Sequence, residues 1–141
     1  NKEGLEQTLQ ALLGTLALTA CRQLPNSEAF EGDATKGEFV FINLVDTDSL
    51  YGHRNDPIGY GRALEEIDTY LPDFLAALGQ DDLFIITGDH GCDPTVPGTD
   101  HTREYVPLVV HGGGVPPGDL GTFPSFVEVA HRVESWLGYS C

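Results

Sequence analysis

The chain has 141 residues, 40% of them hydrophobic, and is long and apolar enough to close one ordinary hydrophobic core. Its 22 Asp and Glu against 7 Lys and Arg give a formal net charge of -15. So little positive charge argues against nucleic acid as a partner, because phosphates would not be neutralised. The acidity itself has two readings: a solvated surface that keeps the protein soluble, or carboxylates clustered locally for cations.

The cysteines and the apolar segments bear on where the protein resides. Three cysteines with no C-x-x-C pair and no disulfide framework favour a reducing compartment, so we expect a cytoplasmic protein. The most apolar early stretch, residues 9–21, fits one buried helical face better than a bilayer span, so no membrane association is expected. The sequence contains no methionine, which predicts a processed chain or a piece of a longer one.

Hydrophobic spacing places helices and strands alternately along the chain. Leucines at helical spacing predict a first helix from residues 1–4 to about residue 21, and an apolar run over 39–45 predicts a strand buried on both faces. The helical pattern over 59–78 contains Pro72, which predicts a kink or a split, and Gly79 suits its end. The remaining predicted elements are a surface loop over 22–37, strands over 83–87 and 105–111, a turn-rich loop over 112–121 and a helix over 123–137.

The order of these elements predicts a fold class. Strands that alternate with helices indicate an α/β fold with a mainly parallel sheet flanked by helices. Sheets of this kind place ligand sites beyond the carboxyl ends of their strands. We therefore expect the functional residues in the loops that follow the strands.

Three glycine-interrupted loops combine aspartate with histidine. Residues 46–54 and 87–95 follow the first two predicted strands, and residues 98–104 lead into the third. Carboxylate oxygens together with imidazole nitrogens are a ligand set for Mn²⁺ or Zn²⁺. One such pair alone would more often be a helix cap or a turn, but three of them favour a shared metal site. His111 and His131 lie outside these loops, and we assign them to packing or the surface.

The three loops contain motifs specific enough to resemble a known family. They read Asp-Thr-Asp-Ser-Leu-Tyr-Gly-His-Arg over 46–54, Gly-Asp-His-Gly-Cys-Asp-Pro-Thr over 88–95 and Pro-Gly-Thr-Asp-His-Thr-Arg-Glu-Tyr-Val-Pro over 97–107. These runs resemble the C-terminal signatures of phosphopentomutases, in the alkaline phosphatase superfamily. Residues 44–112 carry most of the resemblance, and residues 1–12 resemble the segment that returns from that family's cap domain. Thr47 departs from the aromatic residue expected there, which puts no ligand in doubt.

The resemblance implies an alkaline-phosphatase-like core, of which residues 1–141 form a single partial domain. It also implies a two-metal centre of the kind that binds two Mn²⁺ ions. The implied ligands are Asp48, His53 and His101 for one ion and Asp89 and His90 for the second. Asp46 would then support these ligands or face the metal pair.

Arg103 and Cys92 lie beside the implied ligands. Arg103 follows His101 by two residues, so we expect its side chain on the same face, paired with Asp89, Asp93 or a bound phosphate. The alternative is a surface arginine that balances an acidic neighbourhood. We interpret Cys92 as a packed loop residue, because acidic neighbours disfavour a reactive thiolate.

The resemblance further implies an activity. Phosphopentomutases interconvert ribose or deoxyribose 1-phosphate and 5-phosphate through two Mn²⁺ ions and a phosphothreonine primed by glucose or ribose bisphosphate. The Thr-Gly-His-Trp-Glu setting of that threonine does not occur in this sequence, and neither does the inserted cap domain. We therefore assign no catalytic nucleophile here and expect the chain alone to be inactive. We also expect either a dimer that buries the apolar surface or sheet edge left by the missing part, or marginal stability.

Two other functions remain open on the sequence. One is another two-metal phosphotransferase or hydrolase of the alkaline phosphatase superfamily, which would share the Asp-His-Gly run and a later histidine. The other is a metal-binding fragment without catalytic activity. Metal content without phosphotransfer in this chain, beside activity in a longer version, would separate an inactive fragment from its active parent.

Overall fold

The computed structural model describes residues 1–12, 39–112 and 114–138. Its elements in chain order are α1 (Lys2–Leu12), a π-helical turn (Thr47–Tyr51), a 3-10 turn (Gly52–Arg54), α2 (Pro57–Ala77), β1 (Leu83–Thr87), β2 (Leu108–Gly112) and α3 (Val127–Trp136). The predicted loop over 22–37 and the end of the first predicted helix lie outside the described residues. Within the described residues, no helix combines the length and the apolar character needed to cross a membrane.

The chain divides into two compact units. Among the described residues, one unit comprises 1–12, 41–112 and 114, and the other comprises 39–40 and 115–138. The second unit contains α3, and in it the guanidinium carbon of Arg132 lies 5.2 Å from the ring centroid of Phe123. All the candidate metal ligands belong to the first unit.

Residues 39–45 do not form the predicted strand. The described structure assigns them no strand, and Phe41 and Val45 are largely exposed rather than buried on both faces. Ile42 and Leu44 face α1, where they approach the position that a Cβ atom on Gly4 would occupy. The prediction was wrong because an apolar run becomes a strand only when a neighbouring strand accepts and donates its backbone hydrogen bonds.

β1 and β2 form a two-stranded antiparallel sheet. Leu83 pairs with Gly112 and Thr87 with Leu108 at the two ends of the register. The predicted parallel pairing is therefore wrong for these two strands, although strands together with helices keep the chain in the α/β class. Parallel neighbours need a long crossover connection, usually a helix, and the described chain between β1 and β2 contains none.

α2 is the longest described helix and connects the sheet to the turns before it. The Asp56 carboxylate accepts a hydrogen bond of 2.9 Å from the backbone N–H of Gly59. Pro57 occupies the first helical turn, where a backbone N–H would have no acceptor within the helix, so its missing N–H costs nothing. The helix continues through Pro72 as one element, so the predicted split does not occur. Its buried Phe74 lies 5.9 Å from the ring of Phe84 in β1.

The turn after Asp48 packs against the loop after β1 at one close contact. A Cβ atom on Gly52 would overlap Cys92 Sγ and lie 3.0 Å from the Thr47 carbonyl oxygen. Only glycine lets the backbone of this turn approach the Cys92 side chain so closely. This contact sets how the loop that carries Asp48 meets the loop that carries His90.

The Cys92 thiol occupies an environment that opposes ionisation. Burial raises the pKa of Cys92, and the negative charges of Asp48, Glu104 and Asp93 raise it further. The acidic neighbours thus act in the direction that the sequence predicts, in addition to the larger effect of burial.

Replacing Gly52 by alanine should destabilise the chain by about 1–3 kcal/mol, because the added methyl overpacks the contact with Cys92. The midpoint of urea unfolding measures this loss. Gly61→Ala is the matched control: Gly61 lies inside α2 with nothing within 4 Å of its Cβ position, so this change should stabilise by up to about 1 kcal/mol. Adding Cys92→Ala to Gly52→Ala should recover part of the loss, and no recovery would contradict the assigned contact.

Cys92 should react with iodoacetamide more slowly than free glutathione at mildly alkaline pH, because its raised pKa leaves less thiolate at a given pH. Peptide mass spectrometry of the alkylated chain measures the rate at this position. Unfolding in urea should remove the difference. Cys92 reacting fastest of the three thiols in the folded chain would show that the acidic surroundings do not protect it.

Candidate metal centre

Separate loops bring the candidate ligands to one place in the first unit. Asp48 lies in the π-helical turn and His53 in the 3-10 turn that follows it. His90 comes shortly after β1, and His101 precedes the bridge in which Thr102 pairs with Gly91. Side chains distant in the sequence therefore converge because the loops are fixed at their ends.

One carboxylate oxygen is the geometric centre of the cluster. Asp48 Oδ1 lies 3.3 Å from His53 Nε2 and 3.2 Å from His101 Nε2. The imidazole of His101 lies between two others: its centroid is 3.7 Å from that of His90, with the rings stacked, and 4.8 Å from that of His53. Ligand atoms of Asp48, His90 and His101 all lie within 4.8 Å of one another.

Backbone carbonyls fix the orientation of two of these imidazoles. His53 Nδ1 is hydrogen-bonded to the Thr99 carbonyl oxygen, and His90 Nδ1 lies 3.2 Å from that of Gly91. A carbonyl can only accept, so each Nδ1 must carry the proton. In the neutral ring Nε2 then presents a lone pair, which is the form of histidine that binds metals.

Asp48 Oδ1 is buried and accepts no hydrogen bond from any described residue. A buried carboxylate oxygen without a partner is costly, and the Nε2 lone pair of His53, 3.3 Å away, would add repulsion. A cation between these atoms removes both costs. One oxygen and several imidazole nitrogens are also the donors that Mn²⁺ and Zn²⁺ accept, so the side chains present fit a divalent metal ion.

The structure arranges the remaining predicted residues differently. Asp89 is highly exposed and approaches the cluster only through His90, whose Nε2 lies 3.6 Å from its Oδ1. His90, which the resemblance groups with Asp89, is at the same time stacked on His101. The backbone N–H of Asp46 donates to Asn1 Oδ1 at 3.2 Å, so Asp46 lies beside the start of α1.

Arg103 does not make the predicted ion pair with Asp89 or Asp93. Its side chain is exposed and forms no salt bridge within the described part of the chain. His111 lies on β2 and His131 on α3, in the strand and the helix that the sequence predicts for them. The structure therefore unites Asp48, His53, His90 and His101 and leaves Arg103 outside the group.

Negative charge is concentrated around the cluster. Burial raises the pKa of Tyr60, and the charges of Cys92, Asp48, Asp93 and Glu104 raise it further. Asp93 accepts hydrogen bonds from the backbone N–H and the hydroxyl of Thr95, which lower the pKa of its carboxyl. Part of the acidity of the chain is thus local to this site, as the cation-binding interpretation predicts.

Sequence reasoning passed over Asn55. This residue follows the motif that ends at Arg54, and it adopts the left-handed conformation with φ 51°. Asparagine is enriched in that conformation, and the Asn55-Asp56-Pro57 run just before a helix could have indicated a turn residue with a structural role.

Comparison with known proteins identifies relatives that share these loops. The chain is 59% identical over 99 residues to a phosphopentomutase of Anaeromyxobacter dehalogenans. The aligned residues cover 70% of this chain and 26% of the relative. It is 53% identical over 107 residues to a phosphopentomutase of Shewanella loihica, covering 76% of this chain and 26% of the relative. A phosphopentomutase of Vibrio cholerae is 51% identical over 109 residues, covering 77% of this chain and 26% of the relative.

The chain thus spans about a quarter of the length of the curated relatives it matches. A family model described as the Metalloenzyme superfamily matches residues 25–135, which is most of the chain and includes every candidate ligand. This match agrees with the Asp and His donors that meet at Asp48 Oδ1. The chain belongs to the Metalloenzyme superfamily.

Proposed function

We propose that the protein carrying this chain is a phosphopentomutase, an isomerase that moves phosphate between the 1- and 5-positions of ribose or deoxyribose. The observation that carries the proposal is the position of Asp48 Oδ1. This oxygen is buried, has no hydrogen-bond partner among the described residues, and lies near the Nε2 atoms of both His53 and His101. The relatives that share this stretch at 51–59% identity are phosphopentomutases.

The metal ligands of the proposal follow the motifs. Asp48, His53 and His101 would hold one Mn²⁺ ion, and Asp89 and His90 would contribute to a second. The stacking of His90 on His101 supports two adjoining ligand sets, since one imidazole borders both. When bound, two such metal ions would stabilise the attacking and the leaving oxygen of a phosphoryl transfer.

Other residues of this chain would prepare the site for an anionic substrate. The carbonyls of Thr99 and Gly91 hold protons on Nδ1 of His53 and His90, which keeps each Nε2 free for ligation. The pKa of Tyr60 and that of Cys92 are both raised, chiefly by burial, which disfavours additional negative charge beside Asp48. This limits the repulsion that a sugar phosphate would meet.

Arg103 and Asp46 have supporting roles in the proposal. The guanidinium of Arg103 is exposed and engages no carboxylate in the described residues, so it is available to pair with a substrate phosphate through two parallel hydrogen bonds. Asp46 directly precedes the π-helical turn that carries Asp48, and its backbone N–H donates to Asn1 Oδ1 at 3.2 Å, which helps to fix the start of that turn. Asp46 therefore orients the metal ligands indirectly.

The chemical step needs groups that this chain does not carry. The nucleophile of the proposal is a phosphothreonine primed by glucose or ribose bisphosphate, and its motif is absent from the sequence. Exposed apolar side chains such as Tyr105 and Ile58 suit association with another chain, for which we propose a dimer. We propose a cytoplasmic location because three cysteines without a C-x-x-C pair in the sequence favour a reducing compartment.

Mn²⁺ should bind the chain more weakly as pH falls from about 7.5 to about 5.5, because a protonated imidazole cannot ligate. Isothermal titration calorimetry at the two pH values measures the affinity. His101→Ala should weaken binding more than about tenfold, since it removes the imidazole that contacts both His53 and His90.

His131→Ala is the control for that experiment, because His131 lies on α3 and its one described partner is Glu128, 4.0 Å away. It should bind Mn²⁺ like the unchanged chain. Equal affinity at both pH values, or no loss in His101→Ala, would refute the ligand assignment and with it the proposed metal centre.

The chain alone should not convert ribose 1-phosphate to ribose 5-phosphate with Mn²⁺ and a bisphosphate primer, because a covalent step cannot proceed without its nucleophile. A longer protein that also carries the threonine motif and the cap domain should turn over. Asp48→Asn in the longer protein should reduce kcat/KM by at least about a hundredfold, through loss of a metal-ligand charge. Robust turnover by the 141-residue chain would mean that a threonine within it is the nucleophile.

A further inference from the structure

Asn55 joins the two loops that carry His53 and His101. It is the one non-glycine residue with positive φ among the described residues, at φ 51° and ψ 42°. Its side-chain Nδ2 donates to the Val96 carbonyl oxygen at 2.7 Å and lies 3.4 Å from that of Pro94. The amide thus reaches across to a loop about 40 residues away in the sequence.

On its own side, Asn55 closes the turn that carries His53. Its backbone N–H donates to the Gly52 carbonyl at 3.1 Å, and the next N–H, of Asp56, donates to Tyr51 at 3.0 Å. Asp56 then caps α2. The left-handed conformation lets the chain leave the 3-10 turn and enter the helix while the side-chain amide points at the facing loop.

On the other side, Pro94 and Val96 begin the segment that ends at His101. Within it the Val96 N–H donates to the Asp93 carbonyl at 3.2 Å, and the Thr99 carbonyl contacts His53 Nδ1. The two loops are therefore joined twice, once by the Asn55 amide and once by His53. Two attachment points fix an orientation, whereas one would leave the segment free to pivot.

We propose that Asn55 is a positioning residue for the metal centre: it holds residues 94–101 against the 3-10 turn so that His53 and His101 meet at Asp48 Oδ1. This inference rests on the proposed function, in which those side chains bind one ion. Asparagine is the residue that combines tolerance of the left-handed conformation with a short side-chain donor. Glycine offers only the conformation, and aspartate presents carboxylate oxygens where the facing carbonyls need a donor.

Two substitutions separate the roles of the backbone and the amide. Asn55→Gly keeps the left-handed turn and removes the donor. Asn55→Asp keeps the side-chain size and replaces the donor by a negative charge. Asn43→Asp is the matched control, because Asn43 is an exposed asparagine in the irregular segment before the site.

Each variant is compared with the unchanged chain by two measurements: Mn²⁺ affinity from the electron paramagnetic resonance signal of free Mn²⁺, and hydrogen exchange of the metal-free chain. Asn55→Gly and Asn55→Asp should each lose about tenfold in affinity. The Val96 amide should exchange faster in both, while the Leu78 amide, bonded to Phe74 at 3.2 Å, should not change. Asn43→Asp should change neither reading.

The outcomes distinguish this inference from the proposed function. If the unchanged chain binds Mn²⁺ and both Asn55 variants bind it equally well, the inference is overturned while the metal centre stands. If the unchanged chain does not bind Mn²⁺, the metal centre falls, and the exchange of Val96 alone decides whether Asn55 holds the loop. Faster exchange at Leu78 as well as at Val96 would show a general loss of structure and would overturn a positioning role.

Discussion

A buried carboxylate oxygen that accepts no hydrogen bond is the constraint on which this site depends. Asp48 Oδ1 is held near the Nε2 atoms of His53 and His101, and no donor from the described residues satisfies it. Such an arrangement is costly unless a cation completes it. The hydrogen bonds that orient the surrounding imidazoles, and the links between their loops, have the common effect of maintaining this one position.

The means by which the loops are held differ from those of an ordinary core. Among the described residues the buried hydrophobic side chains are Leu5, Ala63 and Phe74, whereas Phe41 and Tyr105 are 78% and 85% exposed. Apolar burial therefore contributes little to the immediate surroundings of the metal centre. Its geometry comes instead from the close contact of Gly52 with the Cys92 side chain and from side chains that bond to backbone carbonyls.

The two proposals depend on different features of the same cluster. The proposed enzymatic activity rests on ligand chemistry and on relatives of which this chain spans about a quarter. The positioning role of Asn55 rests on hydrogen bonds within the chain and on a backbone conformation that few residues adopt. Metal binding connects them, because ligands act together only when their loops are held at a fixed distance.

From the sequence alone, the Asp and His residues of three loops indicated a ligand set for a divalent metal and the correct relatives, and residues 59–78 predicted α2 closely. The sequence also indicated that acidic residues would oppose ionisation of Cys92, although only Asp93 is adjacent in the chain and Asp48 and Glu104 come near the thiol through the fold. Only the tertiary structure decided that β1 and β2 run antiparallel, that residues 39–45 form no strand, and that His90 stacks on His101. Strand pairing and ring contacts depend on which distant segments come into contact. Hydrophobic periodicity and motif spacing describe only local sequence, so neither predicts these tertiary contacts.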